Sequence, residues 1–468
     1  MNVFSNRREM LRKAGAGFGM LPLASMLQAS TDGVNSNNRQ TSPALHFPAT
    51  AKRVIFLFMN GAPSHVDTFD PKPQLAKFEG QPPSDQPKER LTKTSGFMPS
   101  PFRFQKHGSS GVEMSELLPN IAKHADDLCV IRSMHTDTAN HEPGLLMMHS
   151  GIQQPTRPCL GSWASYGLGT ENENLPAFVS ICPGLPVVGP QLWSSAFLPA
   201  NHQALSVDTR DTSLDSLVAN LKHPNLARHE QKQQLDLVDR LNRLHASARQ
   251  EDSRLEAHIR SMELAFRMQA EATEAFDIAR EPNYVSERYG TSTFAKSCLL
   301  GRRLLERGVR FVQVYYVDKG KQPWDTHKDN NGGHRRLCAD SDRATAALLS
   351  DLKERGMLED TLVVWGGEFG RTPYSQNNGK NNSKPGRDHH ATGFSMFLAG
   401  GGVRGGVMHG ETDEFGMYAV SDRVHVHDLH ATILHTLGID HTKLTYRYSG
   451  RDFRLTDVHG EVVHKILA

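Results

Sequence analysis

Carboxylates and imidazoles follow four short apolar runs of this sequence, and together they could bind a divalent metal. Functional groups in open α/β sheets collect at the carboxyl ends of strands. Mixed oxygen and nitrogen ligands from several strand ends are typical of a metal site, with Zn²⁺, Ca²⁺ and Mn²⁺ left open. The alternative is polar capping of strand ends without a metal. The four groups are Asn60–Asp67, His135–His141, Asp325–His327, and Glu368 with Asp388-His389.

The elements that would position these groups are strands alternating with helices, which favours a largely parallel sheet in an α/β fold. Apolar runs predict strands at 51–60, 128–132, 175–182, 309–317, 362–365 and 393–399. Helical spacing predicts helices at 114–127, 294–307, 339–355 and 426–437, and residues 71–112 read as an irregular loop. A charged, Leu-rich block at about 213–280 predicts long amphipathic helices inserted between strands.

Composition excludes several classes of protein. The chain has 468 residues and a formal charge of +2, so it lacks the basic excess of a nucleic-acid-binding protein. Its five cysteines include no CxxC pair, which argues against a zinc–thiolate site. Several of its 24 histidines stand beside Asp or Asn in turns, where metal ligands and proton carriers occur.

The first 30 residues have the pattern of a twin-arginine export signal. Arg7 and Arg8 precede the weakly apolar run Ala14–Ala29, which is too short for a stable membrane span. Residues 31–50 then read as a linker, and 51–468 as one domain. We therefore expect the twin-arginine machinery to export the folded protein to the periplasm or the cell exterior.

As a set, the motifs resemble the domain-of-unknown-function 1501 family over nearly all of the chain after the signal. The segments that carry the resemblance are FMNGAPSHVDTFDPKP, RSMHTDTANHEPGLLMMHSG, GSWASYGLG, WDTH, VVWGGEFGRTP, GRDHH, LAGGGVRGG, DLHATILHTLGID and GRDFRLTDVHG. That family looks like the alkaline phosphatase and sulfatase superfamily. The resemblance implies a three-layer sandwich that binds one or two divalent metals and hydrolyses phosphate or sulfate esters.

Residue by residue, the resemblance implies a ligand set with two departures. The superfamily's first-strand Asp is Asn60 here, so Asp67 or His65 could substitute for it. Its Asp-His-Gly motif reads Glu368-Phe369-Gly370, which keeps a carboxylate and loses an imidazole. The implied metal ligands are Asn60, Asp67, Asp325, His327, Glu368, Asp388 and His389, with His390 as an alternative to His389.

The nucleophile departs furthest from the superfamily pattern. His141 stands where sulfatases carry their nucleophile, and no cysteine lies in a Cys-x-Pro-Ser-Arg context, which excludes a formylglycine sulfatase. His141 could act as nucleophile or as general acid/base, or be a structural histidine. Thr136 or Thr138 could instead attack the ester. Arg371 or Arg387 could neutralise the oxyanion.

Two hypotheses follow from this pattern. The first is an exported metal-dependent hydrolase of phosphate or sulfate esters, acting on a small molecule or a polysaccharide. The second is a catalytically degenerate relative that binds carbohydrate or serves in assembly. The retained Asp, His and Glu positions favour the first, whereas Asn60, Phe369 and His141 favour the second.

Overall fold

The computed structural model describes residues 45–84, 94–217, 225–247, 262–269, 274–318, 321–376 and 384–468. Its strands, in chain order, are β1 Arg53–Met59, β2 Thr94–Phe97, β3 Phe104–His107, β4 Val112–Ser115, β5 Leu128–His135, β6 Phe178–Ile181, β7 Leu205–Val207, β8 Phe311–Tyr316, β9 Thr361–Gly366, β10 Gly370–Gln376, β11 Arg387–His390, β12 Phe394–Ala399, β13 Val407–His409, β14 Glu411–Thr412, β15 Ala419–Ser421, β16 Val424–His425, β17 Tyr446–Tyr448 and β18 Arg451–Phe453. Its helices are α1 His65–Thr68, α2 Gln74–Lys77, α3 His141–Ser150, α4 Leu160–Leu168, α5 Leu214–Leu217, α6 Arg228–Ser247, α7 262–269, α8 Asn283–Tyr289, α9 Thr293–Glu306, α10 Asn330–Glu354 and α11 Val426–Thr436.

A central sheet with the strand order β13-β5-β12-β9-β1-β8-β6-β7 organises the fold, and β16 also pairs with β5. Strands β9, β1, β8, β6 and β7 are mutually parallel, whereas β12 runs antiparallel to both of its neighbours. The prediction of an α/β fold with a mostly parallel central sheet is therefore confirmed.

Both faces of the sheet are covered by helices, which explains why β1 is apolar along its length. Ile55, Leu57 and Met59 join the core that contains α9 and α10. Phe56 and Phe58 point the other way, into the core that contains α3, α4 and α11. Since side chains alternate along a strand, one continuous apolar run serves both layers, and the sandwich has three layers.

The predicted helical insertion at 213–280 lies between β7 and β8. Its described residues include helices α5, α6 and α7, and 218–224, 248–261 and 270–273 lie outside the described residues. The chain returns to the core near Ala275, whose carbonyl accepts a hydrogen bond from Arg303 Nε of α9 at 3.2 Å. The predicted export signal at 1–30, and residues 31–44 of the predicted linker, also lie outside the described residues.

Two local predictions are wrong. The predicted helix at 114–127 is instead the end of β4 followed by a 3₁₀ helix, Ile121–Asp127. Pro119 interrupts helical hydrogen bonding there, and the carboxylate of Asp342 accepts the backbone N–H groups of Asn120 and Ile121. The stretch 71–112 holds α2, β2 and β3 as well as loops, because β2 and β3 gain hydrogen bonds from β10 and β4.

Helix α3, which begins with His141, is anchored at its far end by histidines of α11. His430 and His427 donate from Nε2 to the carbonyls of Met148 and Gly151, both at 2.8 Å. His149 of α3 also joins the helix to β8, since its Nε2 accepts a hydrogen bond from Gln313 Nε2 at 2.7 Å. These contacts fix the direction of α3.

The turn after β1 passes very close to the segment that carries Asp325. Gly61 has φ +109°, and a Cβ atom there would lie 2.5 Å from the backbone nitrogen of Asp325. The carbonyl of Asn60 also accepts a hydrogen bond from the backbone N–H of Trp324 at 3.1 Å. Only glycine permits this approach, which brings the end of β1 against the loop after β8.

We expect Gly61→Ala to lower the free energy of unfolding by about 3 kcal/mol, because the added Cβ meets backbone atoms that cannot rotate away. Gly356→Ala is the matched control, since Gly356 also has positive φ (+65°) but has nothing within 4 Å of the Cβ position. Its expected loss is about 1 kcal/mol. Urea unfolding measures both, and equal losses would contradict the importance of the close approach.

Candidate metal centre

Three imidazoles converge on a single carboxylate oxygen, Asp325 Oδ1. His141 is the first residue of α3, Asp325 and His327 lie between β8 and α10, and His389 lies on β11. The side chains of Asp325 and His327 are 26% and 30% exposed, so solvent reaches the cluster from one side. The distances from Asp325 Oδ1 are 3.3 Å to His141 Nε2, 2.9 Å to His327 Nε2 and 3.1 Å to His389 Nε2.

Hydrogen bonds on the far side of two rings decide which nitrogens face Asp325. His141 Nδ1 lies 2.7 Å from Glu368 Oε1, and a carboxylate only accepts, so this nitrogen carries the proton. His327 Nδ1 likewise lies 2.7 Å from the side-chain oxygen of Gln376. In the neutral rings, Nε2 is therefore a bare lone pair, and both lone pairs point at a carboxylate oxygen.

A nitrogen lone pair this close to a carboxylate oxygen is repelled by it unless a cation lies between the two atoms. His327 Nε2 and His389 Nε2 also lie 2.9 Å apart, a distance that requires either a proton on His389 Nε2 or a cation between the two nitrogens. Protons could supply the positive charge, and so could a metal. His141 Nε2 is buried and has no well-directed hydrogen bond to any described group, which fits a ligand atom better than a hydrogen-bonded one.

The spacing of these atoms also fits a metal. Ligands about 2.1 Å from a tetrahedral ion lie about 3.4 Å apart, and those of an octahedral ion about 3.0 Å apart. The observed separations from Asp325 Oδ1, 2.9 to 3.3 Å, lie in or just below this range.

Two triads have ligand atoms within 4.8 Å of one another: His141, Asp325 and His389, and His327, Asp388 and His389. Asp388 Oδ1 lies 3.7 Å from His327 Nδ1, at the edge of the cluster.

The charge state of the cluster is set by burial and by the close carboxylates. Burial lowers the pKa of His141, but Asp325 and Glu368 outweigh it and raise that pKa above 6.5. Burial also lowers the pKa of His389, and there it prevails. Burial raises the pKa of Asp325, but the three imidazoles and Arg371 outweigh it and hold that pKa far below its usual value. The carboxylate is therefore ionised, and the opposite shifts favour a proton on His141 and disfavour one on His389.

Glu368 sits behind the cluster and contacts it through His141. Its side chain is fully buried, and its two oxygens accept the backbone N–H of Gly61 at 3.0 and 3.2 Å. One of the same oxygens holds His141 Nδ1. The geometry thus gives Glu368, a predicted ligand, the role of a carboxylate that orients a histidine, an arrangement common in metal sites.

Arg371 holds Asp325 in place. The guanidinium is fully buried, and one of its Nη atoms lies 2.6 Å from Asp325 Oδ1. Its other hydrogen bonds go to the backbone carbonyls of Gly61, Ala62 and Arg387. With its donors used internally, Arg371 fixes a carboxylate rather than presenting charge to an oxyanion.

Asp67 lies outside the cluster, in an ion pair with the other candidate oxyanion residue. Arg387 donates to it from Nε at 2.8 Å and from Nη2 at 3.2 Å, and both side chains are fully buried. Asn330 Nδ2 donates to the same carboxylate at 2.9 Å. The ion pair occupies both groups, so neither is placed to contact a metal or a substrate.

The alternative histidines are also engaged elsewhere. His65 Nε2 lies 2.9 Å from the carbonyl of Gly416, and His390 Nε2 lies 2.6 Å from that of Met417. Their rings are stacked, with centroids 6.0 Å apart. Of the predicted pair, His389 reaches the cluster.

Asn60 and Phe369 mark the two departures from the superfamily pattern. Asn60 is fully buried, and neither Oδ1 nor Nδ2 has a hydrogen-bond partner among the described residues. Phe369 is also buried, and its ring centroid lies 5.0 Å from that of His141 and 4.9 Å from that of His389. Phe369 therefore forms an apolar wall of the cluster, and Asn60 retains unused donor and acceptor capacity after β1.

The two candidate threonine nucleophiles lie in the turn between β5 and α3. The hydroxyl of Thr138 accepts the backbone N–H of Asn140 at 3.3 Å. Thr136 is buried, and its hydroxyl has no hydrogen-bond partner among the described residues. The geometry therefore does not choose between them.

Sequence reasoning missed Gln376, which orients His327. It ends β10, directly before a stretch rich in Asn, Gly and Lys, and no chemical motif surrounds it. Its role depends on β10 and β11 pairing, which places Arg371 opposite His389. Only the tertiary arrangement shows that its amide meets an imidazole 49 residues earlier in the chain.

Asp67→Asn is expected to reduce the free energy of unfolding at neutral pH by about 3 to 5 kcal/mol, because it leaves Arg387 buried without its counter-ion. Burial raises the pKa of Asp67, but Arg387 outweighs it and holds that pKa below 3.8. The ionised side chain thus stabilises the native state above this value and loses that effect as the pH falls below it.

The difference between wild type and Asp67→Asn should therefore narrow below about pH 4, as urea unfolding at several pH values can measure. Asp452→Asn is the control, since Asp452 pairs with Arg447 in an exposed ion pair and should matter little. A difference independent of pH would show that the charge of Asp67 does not stabilise the fold.

Solved structures with a similar fold are alkaline-phosphatase-like and sulfatase-like proteins. A lipoteichoic acid synthase, LtaP from Listeria monocytogenes, is 10% identical, with 89% of this chain and 77% of that chain covered and a TM-score of 0.38. The PsFucS1 sulfatase from Pseudoalteromonas sp. is 12% identical, with 83% and 68% covered and a TM-score of 0.34. Alkaline phosphatase from the Antarctic bacterium TAB5 is 11% identical, with 83% and 98% covered and a TM-score of 0.35.

These scores are too low to transfer residues or activities, so the site rests on its own geometry. No protein with a curated description matches the sequence. The family described as "Protein of unknown function (DUF1501)" matches residues 51–467, which span the central sheet and every residue of the cluster. The chain therefore belongs to the DUF1501 family.

Proposed function

We propose that the protein is a divalent-metal-dependent hydrolase of phosphate or sulfate esters. The observation that carries the proposal is the convergence of three Nε2 atoms on Asp325 Oδ1, two of them with their protons fixed on the far side of the ring. His141, Asp325, His327 and His389 would hold the metal. When bound there, the metal would supply Lewis-acid activation of the ester or of the attacking water.

The donor set favours Zn²⁺ or Mn²⁺ over Ca²⁺. Calcium is held by six to eight oxygens in proteins, whereas imidazole suits zinc and other transition metals. Three of the four donors here are imidazole nitrogens. The opposite side of each positioned ring is hydrogen-bonded, to Glu368 or to Gln376, as metal-binding histidines require.

The surrounding residues would position the ligands and admit substrate. Arg371 fixes Asp325, and Phe369 excludes water from the side of the cluster next to His141 and His389. Asp325, His327 and Asp388, with side chains 26% to 36% exposed, leave the other side open. This exposed side leaves room for an ester on a large molecule, which supports a polysaccharide ester as a proposed substrate beside small molecules.

The charge of such an ester explains the need for a cation. Both arginines near the site, Arg371 and Arg387, are fully buried and bonded to carboxylates and carbonyls. They cannot turn toward a substrate without breaking those contacts. A metal bound by the cluster would therefore supply positive charge that these two arginines do not.

A second function is a catalytically degenerate member that binds carbohydrate or serves in assembly. Asn60 supplies no charge where the resemblance implies an Asp, and Phe369 stands where it implies an imidazole. These replacements reduce the number of ligands available to a second metal. This candidate predicts metal or glycan binding without turnover.

Export remains a proposal based on the first 30 residues. The arginine pair and the short apolar run support the twin-arginine route and a periplasmic or extracellular location. Among the described helices, none has the length and apolar character needed to cross a bilayer. Expression with the arginine pair replaced by lysines, followed by cell fractionation, tests export, and unchanged location would contradict it.

The proposed hydrolase predicts that the purified protein binds Zn²⁺ or Mn²⁺ and cleaves aryl phosphate or aryl sulfate esters, and that a chelator removes both properties. Metal analysis and a chromogenic ester assay measure these outcomes. A protein that binds no metal and turns over neither ester would contradict the proposal. Metal binding without turnover would support the degenerate alternative.

Variants separate the ligand from the residue that orients it. His141→Ala should abolish turnover by removing a ligand. Glu368→Gln should weaken metal binding by about 10- to 100-fold, as is usual when the partner of a ligating histidine is lost. The new amide NH₂ group is a hydrogen-bond donor and would face the N–H groups of Gly61 and His141, which are donors too. His107→Ala, on β3 outside the cluster, is the control. Wild-type metal affinity and turnover in both site variants would show the site assignment to be wrong.

A further inference from the structure

A fully buried polar network links the two segments that carry most of the candidate ligands. Asp67 accepts hydrogen bonds from Arg387 and from Asn330 Nδ2. Asn330 Oδ1 in turn accepts the hydroxyl of Thr326 at 2.9 Å, and the carbonyl of Thr326 accepts the backbone N–H of Arg387 at 3.1 Å. The loop of contacts is closed, and its members are at most 5% exposed.

Two members of this network lie within two residues of candidate ligands in the sequence. Thr326 lies between Asp325 and His327, and Arg387 lies two residues before His389. A shift of either residue would move a ligand. Asp67 itself touches no ligand, yet its carboxylate holds Arg387 directly and Thr326 through Asn330.

A third contact fixes the segment that carries Asp67 to the first turns of α10. His334 accepts the backbone N–H of Ser64 at Nε2, at 2.9 Å, and donates from Nδ1 to the carbonyl of Asn330 at 3.0 Å. Burial lowers the pKa of His334 to about 4, so the ring is neutral and keeps this pattern at neutral pH. The segment carrying Asp67 is thus tied to the same helical turn as Asn330.

We propose that Asp67 is a positioning residue of the metal centre, which sets the distance between the Asp325–His327 segment and the His389 strand through Asn330 and Arg387. The proposal rests on the proposed metal site and extends it. The carboxylate that sequence reasoning offered as a ligand acts instead on the residues beside the ligands. Its loss would weaken metal binding even though the metal never contacts it.

The network can be cut without removing a buried charge. Thr326→Val deletes one hydroxyl, and Asn330→Ala removes the link while leaving Asp67 paired with Arg387. Thr345→Val is the matched control, because Thr345 is a fully buried threonine of α10. It lies 15 residues beyond Asn330 in the sequence, or about 22 Å along the helix.

The test is a titration of the metal-free proteins with Co²⁺, read as the visible absorption of the bound ion and as the dissociation constant in competition with a chelator. Thr326→Val and Asn330→Ala should bind Co²⁺ at least about 10-fold more weakly, with an altered absorption spectrum. Thr345→Val should match wild type. The absorption spectrum reports coordination geometry, which a general loss of stability would leave unchanged in the folded fraction.

Three outcomes are distinguishable. Weaker binding with an altered spectrum in either folded network variant supports the positioning role. Wild-type affinity and spectrum in both variants, with circular dichroism showing them folded, overturns it and leaves the metal site intact. Failure of the wild-type protein to bind Co²⁺, Zn²⁺ or Mn²⁺ overturns the proposed function and the positioning role together.

Discussion

The arrangement depends on one electrostatic constraint: two imidazoles, when neutral, turn lone pairs toward an ionised carboxylate oxygen at 2.9 and 3.3 Å. Glu368 and Gln376 keep the protons of His141 and His327 on the outer side of each ring. Such an array of electron-rich atoms is unfavourable unless a cation lies within it. Arg371 meets part of this demand by pairing with Asp325, and a bound metal would meet the rest.

The fold holds these atoms together by close backbone approach and by buried polar contacts. Gly61 lets the end of β1 touch the loop that carries Asp325, and its N–H group holds Glu368. Helix α3 brings His141 from the opposite layer and is fixed by histidines of α11. Each contact joins segments far apart in sequence, so the site exists only when the central sheet is complete.

Sequence reasoning recovered what depends on local pattern. Continuous apolar runs indicated β1, β8 and β9, since strands buried on both faces need them. It also brought Asp325, His327, His389 and His141 together as site residues. The sequence could not distinguish residues that would contact a metal from residues that orient those ligands. Whether Glu368 faces a metal or a histidine depends on how β9 lies against α3, and neither spacing nor residue type encodes that relation.

The same limit applies to Asp67 and Gln376. Asp67 has the residue type of a ligand, but Arg387, 320 positions later, takes its carboxylate. Gln376 has no chemical signature, but strand pairing places it beside His327. The predicted helix at 114–127 was wrong for a related reason, because Asp342 from α10 provides the hydrogen bonds that shape that stretch.

The most direct test of the metal centre is anomalous diffraction from crystals of the protein grown or soaked with Zn²⁺, recorded on either side of the zinc absorption edge. The account predicts one strong peak about 2.0 to 2.2 Å from His141 Nε2, Asp325 Oδ1, His327 Nε2 and His389 Nε2, with Glu368 still bonded to His141 and outside the coordination sphere. A cluster without an anomalous peak at saturating Zn²⁺, or a peak elsewhere in the molecule alone, would contradict it.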